Sequence, residues 1–392
     1  MRVHLLGSTG LFGKAAAGLL ADAELVTEIA IASRRLEAAQ RTAWELGDKA
    51  HAVRVNIKDQ SGLTSIAGDY DIVVNAAGPM FEVQVPALRA AIEADADYCD
   101  LGVDGNATER ALRLDTQARA RPMTAVLGIG LDPGLSNLLA VHAAHQMDEI
   151  EELYVCILGH LATMGSFSPE ASPARMHQSG RIDTAWQDVL EIGRGRVLMY
   201  REGHWMHVEP IENPVEIVLP SGASVTAYPV GTSEPVTLPR HLSGVKTVST
   251  LSSFFPPQLN ELYLREGRRI AKGETDPARA TLSFLETIVA DKARWLSGPP
   301  GFPSGWTMWV TATGRKGGRR ARYLCWPDAL PVSTTAPLVA CVLQILRGQV
   351  DRPGVLPPEA CFEPQAFFAE AVRLRPPASE GPLLGESFQY LN

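Results

Sequence analysis

Apolar runs of strand length alternate with amphipathic stretches through the first third of the chain. Arg2–Leu6 and Glu28–Ser33 read as strands, each followed by a helical stretch, Leu11–Ala21 and Leu36–Leu46. Ala52–Val55 and Asp71–Asn75 are two further strands. Val83–Ala94 is expected to be helical, because Val85, Leu88, Ala91 and Ile92 fall on one face. Tyr98–Leu101 and Thr124–Leu127 complete the series. Strands alternating with helices predict βαβ units, an α/β class with a parallel sheet covered on both faces.

The pattern changes after Gly134. Leu135–Met147 is a helix and Glu152–Leu158 a strand. Arg196–Arg201, Trp205–Glu209, Val215–Leu219 and Ser224–Tyr228 then read as antiparallel strands, with turns at Glu202-Gly203 and Ser221-Gly222. Trp306–Gly314 and Arg319–Trp326 predict a hairpin across Arg315–Gly318, and Thr335–Leu346 is another apolar helix. Pro/Gly-rich pieces at Ser297–Gly305, Gly354–Pro358 and Pro376–Pro382 mark loops. The tail from Pro376 to Asn392 carries no clear pattern, which leaves disorder and docking on a partner both open.

Composition narrows the function classes. In 392 residues, 36 basic side chains face 44 acidic ones, a net charge of −8. That argues against nucleic acid or an anionic membrane as the main partner. No apolar run reaches the ~18 residues of a membrane-spanning helix. The opening MRVHLLGSTG runs straight into a strand and turn rather than reading as a signal peptide. Five dispersed cysteines without a CxxC pair suggest reduced thiols and a cytoplasmic protein.

The first strand-to-helix turn carries the clearest chemistry. Gly7-Ser8-Thr9-Gly10-Leu11-Phe12-Gly13 opens the first βαβ unit. There, glycines permit a tight turn, close approach of backbone to a pyrophosphate, and close helix–strand packing. The helix N-terminus adds free N–H groups and the positive end of its dipole. The end of the second strand selects the cofactor. An acid there would hold a ribose 2′-hydroxyl, but this chain has Ser33, Arg34 and Arg35. Guanidinium groups bind a 2′-phosphate that a carboxylate would repel, so NADP(H) is expected. Asn56 and Ile57 follow the third strand, where adenine packs. Ala76 and Gly78, within Asn75–Pro79, keep the next loop small beside the cofactor.

With GSTGLFG at 7–13 and NAAGP at 75–79, the segment Gly130-Leu131-Asp132-Pro133-Gly134-Leu135-Ser136-Asn137 resembles the saccharopine dehydrogenase-like oxidoreductases. The likeness extends to Tyr228-Pro229, to Glu234–Pro239 and to Gly354–Glu359. It implies a Rossmann domain (1–134 and 333–375), an inserted α+β substrate and dimerisation domain (135–332), and a tail (376–392). It further implies hydride transfer between a nicotinamide and a carbon bearing nitrogen, in a homodimer acting on a small amine or imine. Leu131 would line the nicotinamide, with Leu101 nearby, and Asp132 would touch the substrate. The segment Asp100-Leu101-Gly102-Val103, with Asp104 next to it, matches the part that faces both cofactor and substrate.

One departure bears on substrate. Saccharopine-forming members carry an arginine shortly after the YP pair and another in a Thr-Leu-Arg segment. Here the stretches read Tyr228–Ser233 and Thr250-Leu251-Ser252, with no arginine to hold a carboxylate. The expected substrate is therefore not saccharopine but a smaller or less carboxylated amine.

For proton transfer or iminium stabilisation, Asp132 leads, though Asp before Pro also suits a helix start. Asp100 and Asp104 could point into the cleft. His177, in the donor-rich run Arg175–Arg181, is a further substrate-side group, as is Tyr228. Other readings stay open. His142-x-x-His145 with Glu149 suggests a metal but lacks a completing ligand set, so no metal is expected. A redox sensor without turnover and a trans-acting enoyl reductase share the cofactor pattern. The basic turn Arg315–Arg320 lacks interleaved aromatics and reads as a solvated turn.

Overall fold

The computed structural model describes residues 1–160, 173–174, 176–177, 180–295, 305–330, 333–350, 352–375 and 381–391. The loop at 297–304, most of the 376–382 linker, and Arg175, Gln178 and Ser179 of the donor-rich run lie outside the described residues. The chain forms two compact units, Met1–Leu138 with Asp328–Leu383, and Leu139–Pro327 with Leu384–Asn392. Among the described residues, no helix is long and apolar enough to cross a membrane.

The first unit is a seven-stranded parallel sheet. Its strands are β1 (Arg2–Leu6), β2 (Glu28–Ser33), β3 (Ala50–Arg54), β4 (Ile72–Asn75), β5 (Asp97–Asp100), β6 (Thr124–Val126) and, from the far end of the chain, Gly354–Leu356. Their order across the sheet is Gly354–Leu356, β6, β5, β4, β1, β2, β3. Every pairing is parallel. Val3, Leu5, Ile29, Ile31, Val73 and Val74 are fully buried. Runs this apolar on both faces are what a parallel sheet covered by helices demands. The helix Gln60–Ala67 escaped the pattern because it is short and largely polar; the Asp59 carboxylate caps it through Gly62 N–H.

Asp97 is a strained point of this sheet. Burial, and then repulsion from Asp71, push its carboxyl up to about 6, against a hydrogen bond from Thr124 N–H at 2.7 Å. A folded-state value above the unfolded one means the native chain holds the proton more tightly. The resulting stabilisation is complete at low pH and is lost as pH rises through 6. Asp97→Asn, which keeps the acceptor without the charge, should stabilise the protein by about 2 kcal/mol at about pH 8. The gain should vanish near pH 4. Urea melts at both pH values check this, and an equal gain at the two would refute it.

The second unit is a mixed sheet. Its strands are β7 (Glu149–His160), β8 (Val197–Arg201), β9 (His204–Val208), β10 (Val215–Val218), β11 (Ser224–Val230), β12 (Thr247–Phe255), β13 (Gly305–Lys316) and β14 (Arg319–Pro327). They run β10, β11, β12, β7, β13, β14, with β8 and β9 attached beside β12. β12 pairs with β7 in parallel, and the other pairings are antiparallel. β12 carries Ser or Thr at 247, 249, 250, 252 and 253, so hydrophobic alternation does not reveal it. Its buried hydroxyls are satisfied internally: Ser253 donates to the Thr226 carbonyl, and Thr250 shares a hydrogen bond of 2.7 Å with Thr232.

The structure corrects the reading of the tail. Leu384–Tyr390 is a strand paired antiparallel with β14. It was illegible because its side chains are largely exposed on both faces. It is anchored where Glu386 meets His142 Nε2 at 2.8 Å and accepts the Tyr323 hydroxyl at 2.5 Å. In the basic hairpin, Lys316 pairs with Asp148 and Arg315 with Glu149.

Candidate functional site

In a parallel sheet the loops after all strands leave from one edge, and ligands bind where the strand order reverses. Here that point lies between β1 and β4. Gly7 follows β1 with φ +75°, and a Cβ there would lie 2.4 Å from Ala77 N and 2.5 Å from the Ala76 carbonyl. The loops after β1 and β4 are therefore in backbone contact. A Cβ on Gly13 would lie 2.2 Å from the Gly7 oxygen, so the helix Leu11–Asp22 also sits directly on the turn. Gly10 differs: its φ of −85° is ordinary, and a Cβ would meet only the Gly7 oxygen, at 3.3 Å. The protein's own packing demands glycine at 7 and 13 and crowds a side chain at 10 far less. Gly10 is exposed and is the N-cap of this helix, where it provides no side-chain cap. A bare helix start at an exposed glycine fits a dinucleotide pyrophosphate.

The predicted loop residues divide into two groups. Thr9, Gly10, Leu11 and Phe12 keep some exposure, whereas Ser8 is buried with its hydroxyl donated to the Ala32 carbonyl at 3.1 Å. Ser8 therefore ties the turn to β2. Ser33 accepts the Arg35 N–H through its hydroxyl at 3.2 Å, and Arg34 and Arg35 are exposed. Neither guanidinium has a hydrogen bond or ion pair among the described residues. Asn56 is exposed and accepts the Lys58 N–H, while Ile57 packs partly against the core.

The loops after β4, β5 and β6 are bound together by one buried network. Asp100, fully buried, accepts Gly102 N–H at 2.9 Å and Gly128 N–H at 2.7 Å on one oxygen. Its other oxygen accepts the Tyr98 hydroxyl at 2.9 Å. Asn75 donates to that same hydroxyl at 3.2 Å and accepts Ala77 N–H at 3.1 Å. Burial raises the Asp100 carboxyl above its ordinary range, and the loop N–H groups oppose the rise. This corrects the expectation that Asp100 could point into the cleft: it faces inward and positions the loops. Asp104 is also buried, capping the helix Gly105–Leu112 by accepting Ala107 N–H at 2.7 Å. Tyr98 was missed by sequence reasoning, although its place two residues before Asp100 puts both on one face of β5.

The GLDPG turn closes against this network. A Cβ on Gly128, at φ +63°, would lie 2.8 Å from both the Gly102 oxygen and Pro133 Cγ. A Cβ on Gly130 would lie 3.1 Å from Leu101. The turn is held at its end by Asn137, which accepts Gly134 N–H and donates to Glu359, both at 2.9 Å. Leu131 is buried, and Asp132, like Val103, is half-buried. The first unit thus brings together Gly7–Gly13, Ala76, Gly78, Leu101–Val103 and Leu131-Asp132 along one edge.

The remaining predicted residues lie in the second unit. His177 is exposed, its Nε2 2.9 Å from Glu286 on the helix Pro277–Ala290. Tyr228 is half-buried on β11 and lines a cleft of about 490 Å³ with Glu216, Ser253 and Asn260. Thr232 and Thr250, in the stretches compared with arginine-bearing ones, are a buried hydroxyl pair. His142 is engaged by Tyr323 and Glu386. Among the described residues, no group of three or more His, Cys, Asp or Glu side chains is arranged to hold a metal ion.

Residues 3–126 match the family described as saccharopine dehydrogenase NADP binding domain. The chain is 22% identical to carboxynorspermidine synthase from Vibrio cholerae, covering 91% of both sequences. Its fold is similar to that of saccharopine dehydrogenase (L-Glu forming) from Saccharomyces cerevisiae, with a TM-score of 0.65, 16% identity and 99% of each chain covered. The parallel sheet with its glycine turn agrees with the family match over residues 3–126, and the two sheets together share the fold of the yeast saccharopine dehydrogenase.

Proposed function

We propose that the protein is an NADP(H)-dependent oxidoreductase acting on a carbon–nitrogen bond of a small amine or imine other than saccharopine. The observation that carries the cofactor choice is the pair Arg34 and Arg35. Both are exposed at the end of β2 with no ion pair among the described residues, where an NAD site would present a carboxylate. Thr9, Gly10, Leu11, Phe12 and Gly13 would hold the pyrophosphate through backbone N–H groups. Ala76, Gly78, Leu101 and Leu131 would border the nicotinamide, which when bound supplies or accepts the hydride.

The substrate side rests on Asp132. A half-buried carboxylate on a rigidly held turn stabilises positive charge on a substrate nitrogen more strongly than a solvated one. Asp100 is unsuited to move a proton, being enclosed by its own partners. The lack of arginine at Tyr228–Ser233 and Thr250–Ser252 favours a substrate with fewer carboxylates than saccharopine. The relative's printed activity, carboxynorspermidine synthesis, makes polyamine-like amines the first compounds to offer.

The test is a screen of amines, and of aldehydes or keto acids with amines, read by NADPH absorbance. Turnover with NADPH well above that with NADH is expected. Asp132→Asn should lower kcat by about a hundredfold with NADPH affinity nearly unchanged. Unchanged turnover would remove Asp132 from the chemistry, and reduction of crotonyl-type thioesters alone would favour an enoyl reductase.

A further inference from the structure

We propose that Arg54, at the end of β3, is a third arm of the 2′-phosphate site and sets the preference for NADPH over NADH. This rests on the NADP(H) reading above. Parallel pairing of β2 with β3 places Arg54 directly opposite Ser33. Neighbouring strands lie about 4.8 Å apart, well within the length of an arginine side chain. The two loops are joined at the same point, because the Ser33 carbonyl accepts Val55 N–H at 3.0 Å. Ser33 thus links three elements: its hydroxyl holds Arg35 N–H, its carbonyl holds the β3 loop, and its register partner is Arg54.

Direction follows from alternation along β3. Val53 packs in the core with Leu63 and Ala67 of the helix Gln60–Ala67. Arg54 therefore points to the opposite face, the side of the helix Leu36–Leu46, whose N-cap is Arg35. Arg54 is exposed and, among the described residues, has no hydrogen bond or ion pair. Neighbouring lysines differ, since Lys58 is paired with Glu82 and Lys14 with Glu45. Glu37, in the first turn of the same helix, pairs with none of the three arginines among the described residues. Three guanidinium groups from two strand ends with no carboxylate among them suit one dianion. A phosphate offers enough oxygens for several charge-assisted bonds, whereas a ribose hydroxyl offers Arg54 nothing comparable.

Fluorescence titration of the full chain with NADPH and with NADH tests this without any substrate. Arg54→Ala should raise the Kd for NADPH roughly tenfold and that for NADH less than about twofold. Arg54→Lys should recover part of the loss, because charge remains and the fork does not. Arg89→Ala, which removes an exposed charge from the helix Met80–Glu93, should change neither Kd. Equal weakening of both cofactors by Arg54→Ala would place the side chain on the adenosine rather than the phosphate and overturn the proposal. If Arg34→Ala abolishes the preference while Arg54→Ala leaves it intact, only the role of Arg54 fails. If the wild-type chain does not distinguish the two cofactors, the NADP(H) reading fails with it.

Discussion

Asp100→Leu should lower the melting temperature of the first unit by roughly 10 °C. Leucine keeps the branching of aspartate at Cγ but is bulkier, so overpacking adds to the cost. The larger change is that Gly102 N–H and Gly128 N–H lose their acceptor, and the Tyr98 hydroxyl keeps only the Gln84 carbonyl at 3.5 Å. Each orphaned buried group costs about 1–3 kcal/mol, and a unit of this size loses about 2–4 °C per kcal/mol. Asp100→Asn keeps an oxygen for the two loop N–H groups and should lose about a third as much. NADPH affinity should fall with the leucine variant, because the loops after β4, β5 and β6 share this one anchor. A leucine variant melting within about 2 °C of wild type would show that the network adds little.

Gly13→Ala should destabilise the protein by about 3 kcal/mol or more and weaken NADPH binding beyond a hundredfold. The added methyl would lie 2.2 Å from the Gly7 oxygen, 2.7 Å from its carbon and 2.9 Å from Ser8 Cα. All three are backbone atoms, so no side chain can swing aside, and the helix must lift off the turn. Gly18 supplies the control. It lies in the same helix with nothing within 4 Å of a Cβ. Gly18→Ala should therefore stabilise the protein by about 0.5–1 kcal/mol through helix propensity alone. Chemical denaturation of the two variants reads the contrast, and similar effects at 13 and 18 would refute the close-packing account.

The first sheet was legible because its strands are short, apolar and separated by amphipathic helices. Glu28–Ser33, Leu36–Leu46 and Thr335–Leu346 have the same bounds in the pattern and in the fold. The second sheet was only partly legible. β12 hides its burial behind serine and threonine, whose hydroxyls find partners on β11 and on the loop that follows it. The closing strand Leu384–Tyr390 hides because an edge strand with exposed side chains shows no apolar face.

At the site, the glycine turn announced itself because backbone geometry leaves no other residue at 7 and 13. The places of Asp100, Asp104 and Arg54 could not be read the same way. A carboxylate after a strand looks alike whether it faces solvent or its own loops, and only the positions of Gly102, Gly128 and Ala107 decide. Sequence by itself determined the α/β class, the dinucleotide turn and the basic pair after β2, because these depend on local periodicity and conformational freedom. Tertiary structure decided which acids are buried anchors, which strand completes the second sheet and which arginine stands beside Ser33. Those depend on pairings between distant segments, and hydrogen-bond register is a property of two strands that neither one encodes alone.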